Sequence, residues 1–402
     1  MSEAGHVAWM LTASALVLLM TPGLAFFYGG LVRGKNVVST MMYSYVSMAV
    51  VSVMWVLWGY SLAFGAGGDF IGNLDFVGFK DVSASGEDGG ISPMLFAIFQ
   101  MMFAIITPAL ITGAFVERFK FTTYIVFLVV WVTLVYVPIT HWVWASDGWI
   151  AGMGALDFAG GIVVHASAGI AAIVVAKMIG TRRNIERGVE PHNVPYVLLG
   201  TGLLWFGWFG FNAGSGLLAD STAVSAFLVT NTSAAVAGLV WMVLDYQSTG
   251  RVSAVGFATG VIAGLASITP AAGFVGPMGA LAIGTIGSIA AYTTVKLMAK
   301  TSIDDALEVF AVHGVGGLWG TIATGIFATG GVGLIDGDTD LLWANFRAAV
   351  AVVIYSGIAS FIILKILDVI PGLGLRTSEE DEDRGLDIAL HGERGYVADG
   401  AD

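Results

Sequence analysis

Apolar runs of about 20 residues, long enough to cross a bilayer as a helix, recur from one end of this chain to the other. Eleven stand out, at 7–31, 38–64, 93–116, 121–143, 157–179, 194–215, 223–246, 252–271, 276–299, 305–329 and 342–370. They predict an all-α polytopic membrane protein of eleven transmembrane helices over 1–371, followed by an acidic tail over 372–402. Composition agrees, because only 11% of the residues are charged where soluble domains carry roughly 25%. The first run follows Glu3 rather than a basic segment and is long enough to span, so it reads as a helix and not as a cleavable signal. Cysteine is absent, which excludes a disulfide framework and a thiolate metal site. Nothing in the sequence implies a metal, a cofactor, a catalytic apparatus or a nucleic-acid partner.

Charge sets the orientation. With the N-terminus outside, fifteen of the seventeen Lys and Arg residues fall at cytoplasmic ends and loops, leaving Lys80 and Arg347 outside. Basic residues favour the cytoplasmic side, so the chain reads as N-out and C-in. From Arg376 onward nine acids face three arginines, giving −6, which is half of the net charge of −12.

The chain also repeats itself. Ile106-Thr107-Pro108-Ala109 in span three is echoed by Ile268-Thr269-Pro270-Ala271 in span eight. Asp157 precedes His165 by eight residues in span five, and Asp305 precedes His313 by eight in span ten. Each echo falls five spans later, so partners run in opposite directions: spans 1–5 and 6–10 form an inverted repeat. Such repeats place a site near the midplane between the halves. If each Asp-to-His interval is helical, each histidine lies roughly 12 Å in from its carboxylate. Entering from opposite faces of a core about 30 Å thick, the two imidazoles can meet. Ionisable groups at that depth are costly and mark function.

Gly154-Ala155-Leu156-Asp157-Phe158-Ala159-Gly160-Gly161, Trp208-Phe209-Gly210-Phe211-Asn212-Ala213-Gly214-Ser215, Val312-His313-Gly314-Val315-Gly316-Gly317 and Phe99-Gln100-Met101-Met102-Phe103-Ala104 resemble signatures of the ammonium transporter (Amt/Rh) family, prokaryotic Amt branch. The resemblance runs from Pro22-Gly23 to the tail. It implies a homotrimer in the cell membrane, with one pore per subunit carrying ammonium inward and methylammonium as an analogue. Residue by residue, Trp144, Phe103 and Ser215 match the outer recruitment site, Phe103 and Phe211 the stacked gate, and His165 with His313 the twin-histidine pair. Asp157 matches the carboxylate that stabilises the recruitment site without touching the ion. Asp387, His391, Gly392 and Glu393 fall in a segment similar to the regulatory C-terminus. In many relatives that region answers to a PII-type nitrogen-signalling protein that plugs the cytoplasmic pore mouth. Two departures stand out: Glu308 occupies a position where Asp is usual, and the loop from Trp144 to Asp157 is about one residue longer.

The chemistry suits these residue types. An aromatic face attracts a desolvating cation by about 2 kcal/mol, and Trp is the best such face. The Ser215 hydroxyl can accept an N–H bond, so the site selects a cation that is also a donor. Two phenyl rings below it bar a bare cation while neutral ammonia passes. Each neutral imidazole has one donor and one acceptor nitrogen, and burial disfavours the charged form. The proton is either left outside or relayed by the pair, and current measured with uptake separates the two.

Without the motifs the same residues read more plainly. Trp144 sits where interfacial aromatics gather, Phe103 and Phe211 are two of 24 phenylalanines, Asp157 caps a helix, and the acidic tail is a solvated segment. Glu117 and Arg118 read as an ion pair or a solvated helix end. Three rival functions compete with this reading: a haem or metal protein using the two histidines, an ammonium sensor, and a transporter with an Rh-like substrate. A sensor of this kind carries a signalling domain after its last span, and about 30 residues are too few for one.

Overall fold

The computed structural model describes residues 3–86 and 90–396. Regular structure among them is helical throughout, and the only β feature is an isolated bridge between Phe119 and Arg376. The main helical segments begin with α1 (Glu3–Leu31), α2 (Gly34–Phe64), α3 (Pro93–Ala114), α4 (121–144), α5 (Gly161–Ile179) and α6 (Val194–Gly214). They continue with α7 (Ser221–Thr249), α8 (Ala254–Ile268), α9 (Pro277–Met298), α10 (Phe310–Phe327) and α11 (Asp340–Val369). Among the described residues ten of these segments are long and apolar enough to cross a membrane; α8 is the shorter one. Its run is expected to reach 271, but the regular helix stops at Ile268 and the chain continues as turns through 274.

Several starts are written in the sequence. The side chains of Ser92, Asn193, Asp220 and Ser253 accept bonds from the backbone N–H groups of Leu95, Tyr196, Ala223 and Gly256. Each satisfies a donor that the first helical turn leaves orphaned.

Two starts differ, and both lead to a histidine. Helix α5 opens with a π-helical turn, Gly161–Ala166, and α10 with another, Phe310–Val315. The residues just before them are irregular: Gly160 has φ +114° and Glu308 φ +64°. The Asp157-to-His165 interval is therefore not the one continuous helix expected. Only the rise from Gly161 to His165 is helical, about 6 Å. The reason is local: the Asp157 carboxylate folds onto the N–H groups of the turn that follows it instead of leading the helix.

The two halves meet reciprocally at these entries. Phe158 donates its N–H to the Pro270 carbonyl at 3.1 Å, and Leu307 donates to Gly113 at 3.0 Å. Each Asp-to-His segment thus leans on the helix that carries the other half's Ile-Thr-Pro-Ala motif, or on the turn that ends it.

The segment after α11 packs back onto the loops instead of trailing into solvent. Lys120 N–H donates to Leu375 O at 2.9 Å and Thr377 N–H to Arg118 O at 3.0 Å. A short helix α12 (Glu379–Arg384) and a π turn α13 (Asp387–His391) follow. Beneath them Glu117 and Arg118 are buried, at 3% and 0% exposure, so the solvated-end reading of that pair is wrong. Nor do the two pair with each other. Glu117 meets Arg33 at 3.4 Å and Arg182 at 3.6 Å, while Arg118 and Arg182 both meet Asp304.

Candidate functional site

The histidines meet. His165 on α5 and His313 on α10 face each other with Nδ1 atoms 3.2 Å apart, both buried. Close backbone approach makes this possible. A Cβ on Gly169 would lie 2.2 Å from both the Cα and the N of Gly314, so the helices cross where only glycine fits. One Nδ1 donates and the other accepts, which leaves each Nε2 for another partner. His165 Nε2 has none among the described residues. The His165 ring lies near-parallel to two neighbours, at 5.4 Å from Trp208 and 5.8 Å from Phe211, at 27° and 18°, and those two rings are 5.4 Å from each other.

Phe211 joins this stack to a second ring. Phe103 lies 4.3 Å from it, centroid to centroid, and both rings are buried. They divide two cavities. One, of 140 Å³, lies remote from the tail and is lined by Phe103, Trp144, Ser215 and Gln100, among others. The other, of 190 Å³, is lined by Phe211, Trp208, both histidines and, at its far end, Glu308 and Arg182.

The first cavity is aromatic with a few polar atoms. Trp144 stands edge-on to Phe103 at 5.8 Å and 90°, and its indole N–H is fixed by the main-chain carbonyl of Asp157 at 2.9 Å. Ser215 gives its hydroxyl proton to Phe211 O at 2.8 Å, which frees the oxygen lone pairs to accept.

Asp157 is built differently from a ligand. Its carboxylate accepts from Gly160 and Gly161 through Oδ1 and from Ile162 and Val163 through Oδ2, at 2.7–3.1 Å. Four orphan donors of the turn are satisfied at once, and the side chain lines neither cavity. It holds the entry to α5 and, through its carbonyl, the Trp144 ring. Asp305 repeats this more sparsely, with Oδ2 accepting from Phe310 N at 2.7 Å.

Two residues inside the quoted motifs carry no role in the sequence reading. Gln100 is the sole polar side chain between Leu95 and Ile106, and its amide oxygen is buried beside the first cavity without a partner among the described residues. That isolation in an apolar run was the available signal. Trp208, named there only within its motif, stacks on His165 and donates to Thr269 Oγ1 at 2.9 Å.

The tail residues form a different cluster. Asp387 Oδ1 accepts from Ser39 N at 2.8 Å, capping the start of α2. His391 packs edge-on against Phe121 at 4.8 Å. Gly392 ends α13 with φ +68° and Glu393 is exposed. Near them Lys35 Nζ donates to the carbonyls of Glu382 and Asp383 at 2.7 and 2.8 Å. Burial pushes the Asp304 carboxyl up, but its hydrogen bonds from Arg182 and the charges of Arg182 and Arg118 outweigh that and hold it below the ordinary range. Among the described residues no group of His, Asp or Glu could hold a metal ion.

Comparison with known proteins identifies the family of the chain. Residues 8–396 match the Ammonium Transporter Family. An ammonium transporter of Bacillus subtilis is 46% identical, the alignment covering 98% of this chain and 99% of that protein. Ammonium transporter Amt1 of Archaeoglobus fulgidus is 45% identical over 98% and 99%. Among solved structures, Mep2 of Saccharomyces cerevisiae superposes with a TM-score of 0.88 at 37% identity, over 94% of this chain and 90% of that one. A chain described as a sensor Amt protein gives 0.89 at 32%, over 97% and 99%. These relatives are ammonium transporters or are built like them, and none is an enzyme. The chain is a multi-pass membrane protein that belongs to the ammonium transporter family.

Proposed function

We propose that this transporter recruits ammonium at Trp144, Phe103 and Ser215, strips its proton at the Phe103–Phe211 gate and conducts neutral ammonia past His165 and His313. The single observation that carries the reading is the pair of imidazoles in contact on the wall of a cavity that two stacked phenyl rings close off. Aromatic faces and a lone-pair-bearing hydroxyl suit a small cation that donates hydrogen bonds. A dry constriction rejects one that must keep its charge. Asp157 serves by holding the recruitment site in shape, and methylammonium is a substrate analogue.

The assembly follows the family. The chain crosses the cell membrane eleven times, N-out and C-in, with α8 as the shortest crossing, and spans 1–5 and 6–10 form the inverted repeat. The reciprocal Phe158–Pro270 and Leu307–Gly113 bonds support that symmetry. Three copies associate, each with its own pore in the 1–371 domain. The 372–402 tail, with Asp387, His391, Gly392 and Glu393, is the regulatory surface, and a PII-type protein binds at the cytoplasmic face.

Reconstituted vesicles test the reading. His165→Ala and His313→Ala each impair selective methylammonium uptake while the trimer stays folded. Unchanged uptake and unchanged ammonium-over-potassium discrimination in both variants would refute it. Current recorded with labelled uptake decides the proton's route, and uptake without current sinks a relay through the pair.

A further inference from the structure

The tail packs against the start of α2, so the loop that leaves α2 after Phe64 lies on the opposite side of the molecule. Its stretch Phe70-Ile71-Gly72-Asn73-Leu74-Asp75-Phe76-Val77-Gly78-Phe79 holds six apolar side chains in ten residues. Four of them face outward: Phe70 is 62% and Leu74 63% exposed, and Ile71 and Val77 are exposed as well. Apolar surface gathered in one place marks a contact with a partner.

The loop does not rise away from the helix ends. It folds back along α2, with the rings of Phe76 and Phe79 at 5.8 and 5.5 Å from Tyr60 and residues 77–79 against the turn Trp55–Gly59. That turn is centred on Leu57, about 10 Å back from the end of α2 at Phe64. With 31 residues, α2 is about 46 Å long, against a hydrocarbon core about 30 Å thick. Shared between the two ends, the excess puts the edge of the core about 8 Å back from Phe64. Residues 77–79 therefore lie at the hydrocarbon boundary. Their apolar surface adjoins that of α2, whose Val53 and Leu57 are exposed one turn apart.

The backbone of the loop is prepared for that level. Gly72 donates its N–H to Leu62 O at 2.8 Å and Phe79 to Phe76 O at 2.9 Å. Phe76 donates to Ser61 Oγ at 2.9 Å, and Ser61 Oγ in turn donates to Asn73 O at 2.9 Å. Irregular backbone is tolerated beside hydrocarbon only when its polar groups are paired. Asp75, the one charged residue of the stretch, accepts from the Asn73 amide.

We propose that residues 70–79 are an interfacial anchor seated in the lipid leaflet remote from the tail, with Phe70, Ile71, Leu74 and Val77 among the glycerol and upper acyl groups. The anchor also braces the pore entrance. Phe70 O accepts from the Trp142 indole N–H at 2.7 Å, and Asp69 O from Trp149 N–H at 3.1 Å. Trp142 stands two residues before Trp144 on α4, so lipid contact at the loop steadies the helix end that carries Trp144.

The chain has no cysteine, so a nitroxide label can be placed at one position at a time. The full-length protein is labelled at Leu74→Cys or Val77→Cys and reconstituted in phosphatidylcholine nanodiscs. Val53→Cys on the outward face of α2 and Glu380→Cys on the exposed tail are the references. Oxygen concentrates in lipid and nickel-EDDA in water, so the ratio of their collision rates with the label reports depth. Labels at Leu74 and Val77 meet oxygen more than nickel-EDDA, as the Val53 label does, and the Glu380 label shows the reverse. Adding F70S/I71S, on exposed side chains, raises nickel-EDDA access at Leu74 and Val77 several-fold. Labels at both positions that behave like the one at Glu380, or access unmoved by F70S/I71S, overturn the proposal. So do labels that neither reagent reaches and that broaden one another's spectra, because a second copy of the chain then covers the loop.

Discussion

The glycine crossing behind the imidazole pair can be broken without touching either ring. In Gly169→Ala the new Cβ lands 2.2 Å from backbone atoms of Gly314, and backbone cannot swing aside as a side-chain tip can. Carbon contacts settle at about 3.5 Å or more, so α5 and α10 must part by about 1.3 Å. Added to the 3.2 Å between the Nδ1 atoms, that gives roughly 4.5 Å, well outside hydrogen-bond range. Overpacking of this kind costs about 1–3 kcal/mol, and a lost buried hydrogen bond about 1 kcal/mol more. The assay is methylammonium uptake in proteoliposomes alongside a thermal melt in detergent. Gly169→Ala lowers uptake at least tenfold and lowers the melting temperature, while both histidines remain in place. Gly202→Ala is the control, since nothing lies within 4 Å of its added Cβ. Wild-type uptake with a wild-type melt in Gly169→Ala would show that the contact between the rings does not depend on this crossing.

Three other outcomes follow from the same coordinates. Asp157→Asn turns an NH₂ toward two of the four backbone donors that the carboxylate now satisfies; it destabilises the fold by about 3 kcal/mol or more, and an unshifted melt contradicts the capping role. Phe211→Ala joins the two cavities that the stacked rings separate; potassium conductance in planar bilayers rises, and continued exclusion of potassium argues against a ring gate. Asp304, held below its ordinary value of 3.8 mainly by Arg182 acting against burial, contributes stability that is complete above that value and is lost as pH falls through its lower folded value. Melts between pH 5 and pH 2 therefore show an acid-side decline that Asp304→Asn reduces, and an equal decline in both proteins refutes the assignment.

Much of the architecture was legible because hydropathy is a local property. Each apolar run announces a helix whatever surrounds it, but not where it ends: α3 runs through Pro108 of its Ile-Thr-Pro-Ala motif, while α8 stops at Ile268, before Pro270 of the same motif. Of the site, the residue types and their order were legible, chiefly through motifs; without them Phe103, Phe211 and Trp144 read as ordinary apolar positions. Asp157 was legible as a cap but not as one that satisfies four donors, because that depends on Gly160 taking a left-handed φ of +114°.

By itself, then, the sequence determined the helices, the two histidines at matching intervals and the residues to watch around them. Tertiary structure alone decided that His165 and His313, 148 positions apart, touch. It also decided that Gln100 and Trp208 line the two cavities beside the rings, and that the acidic tail is docked over buried ion pairs. The physical reason is that hydropathy, capping and turn chemistry act within a few residues. The imidazole contact depends on how closely two distant backbones pack, which is fixed at Gly169 and Gly314 only once α5 and α10 cross.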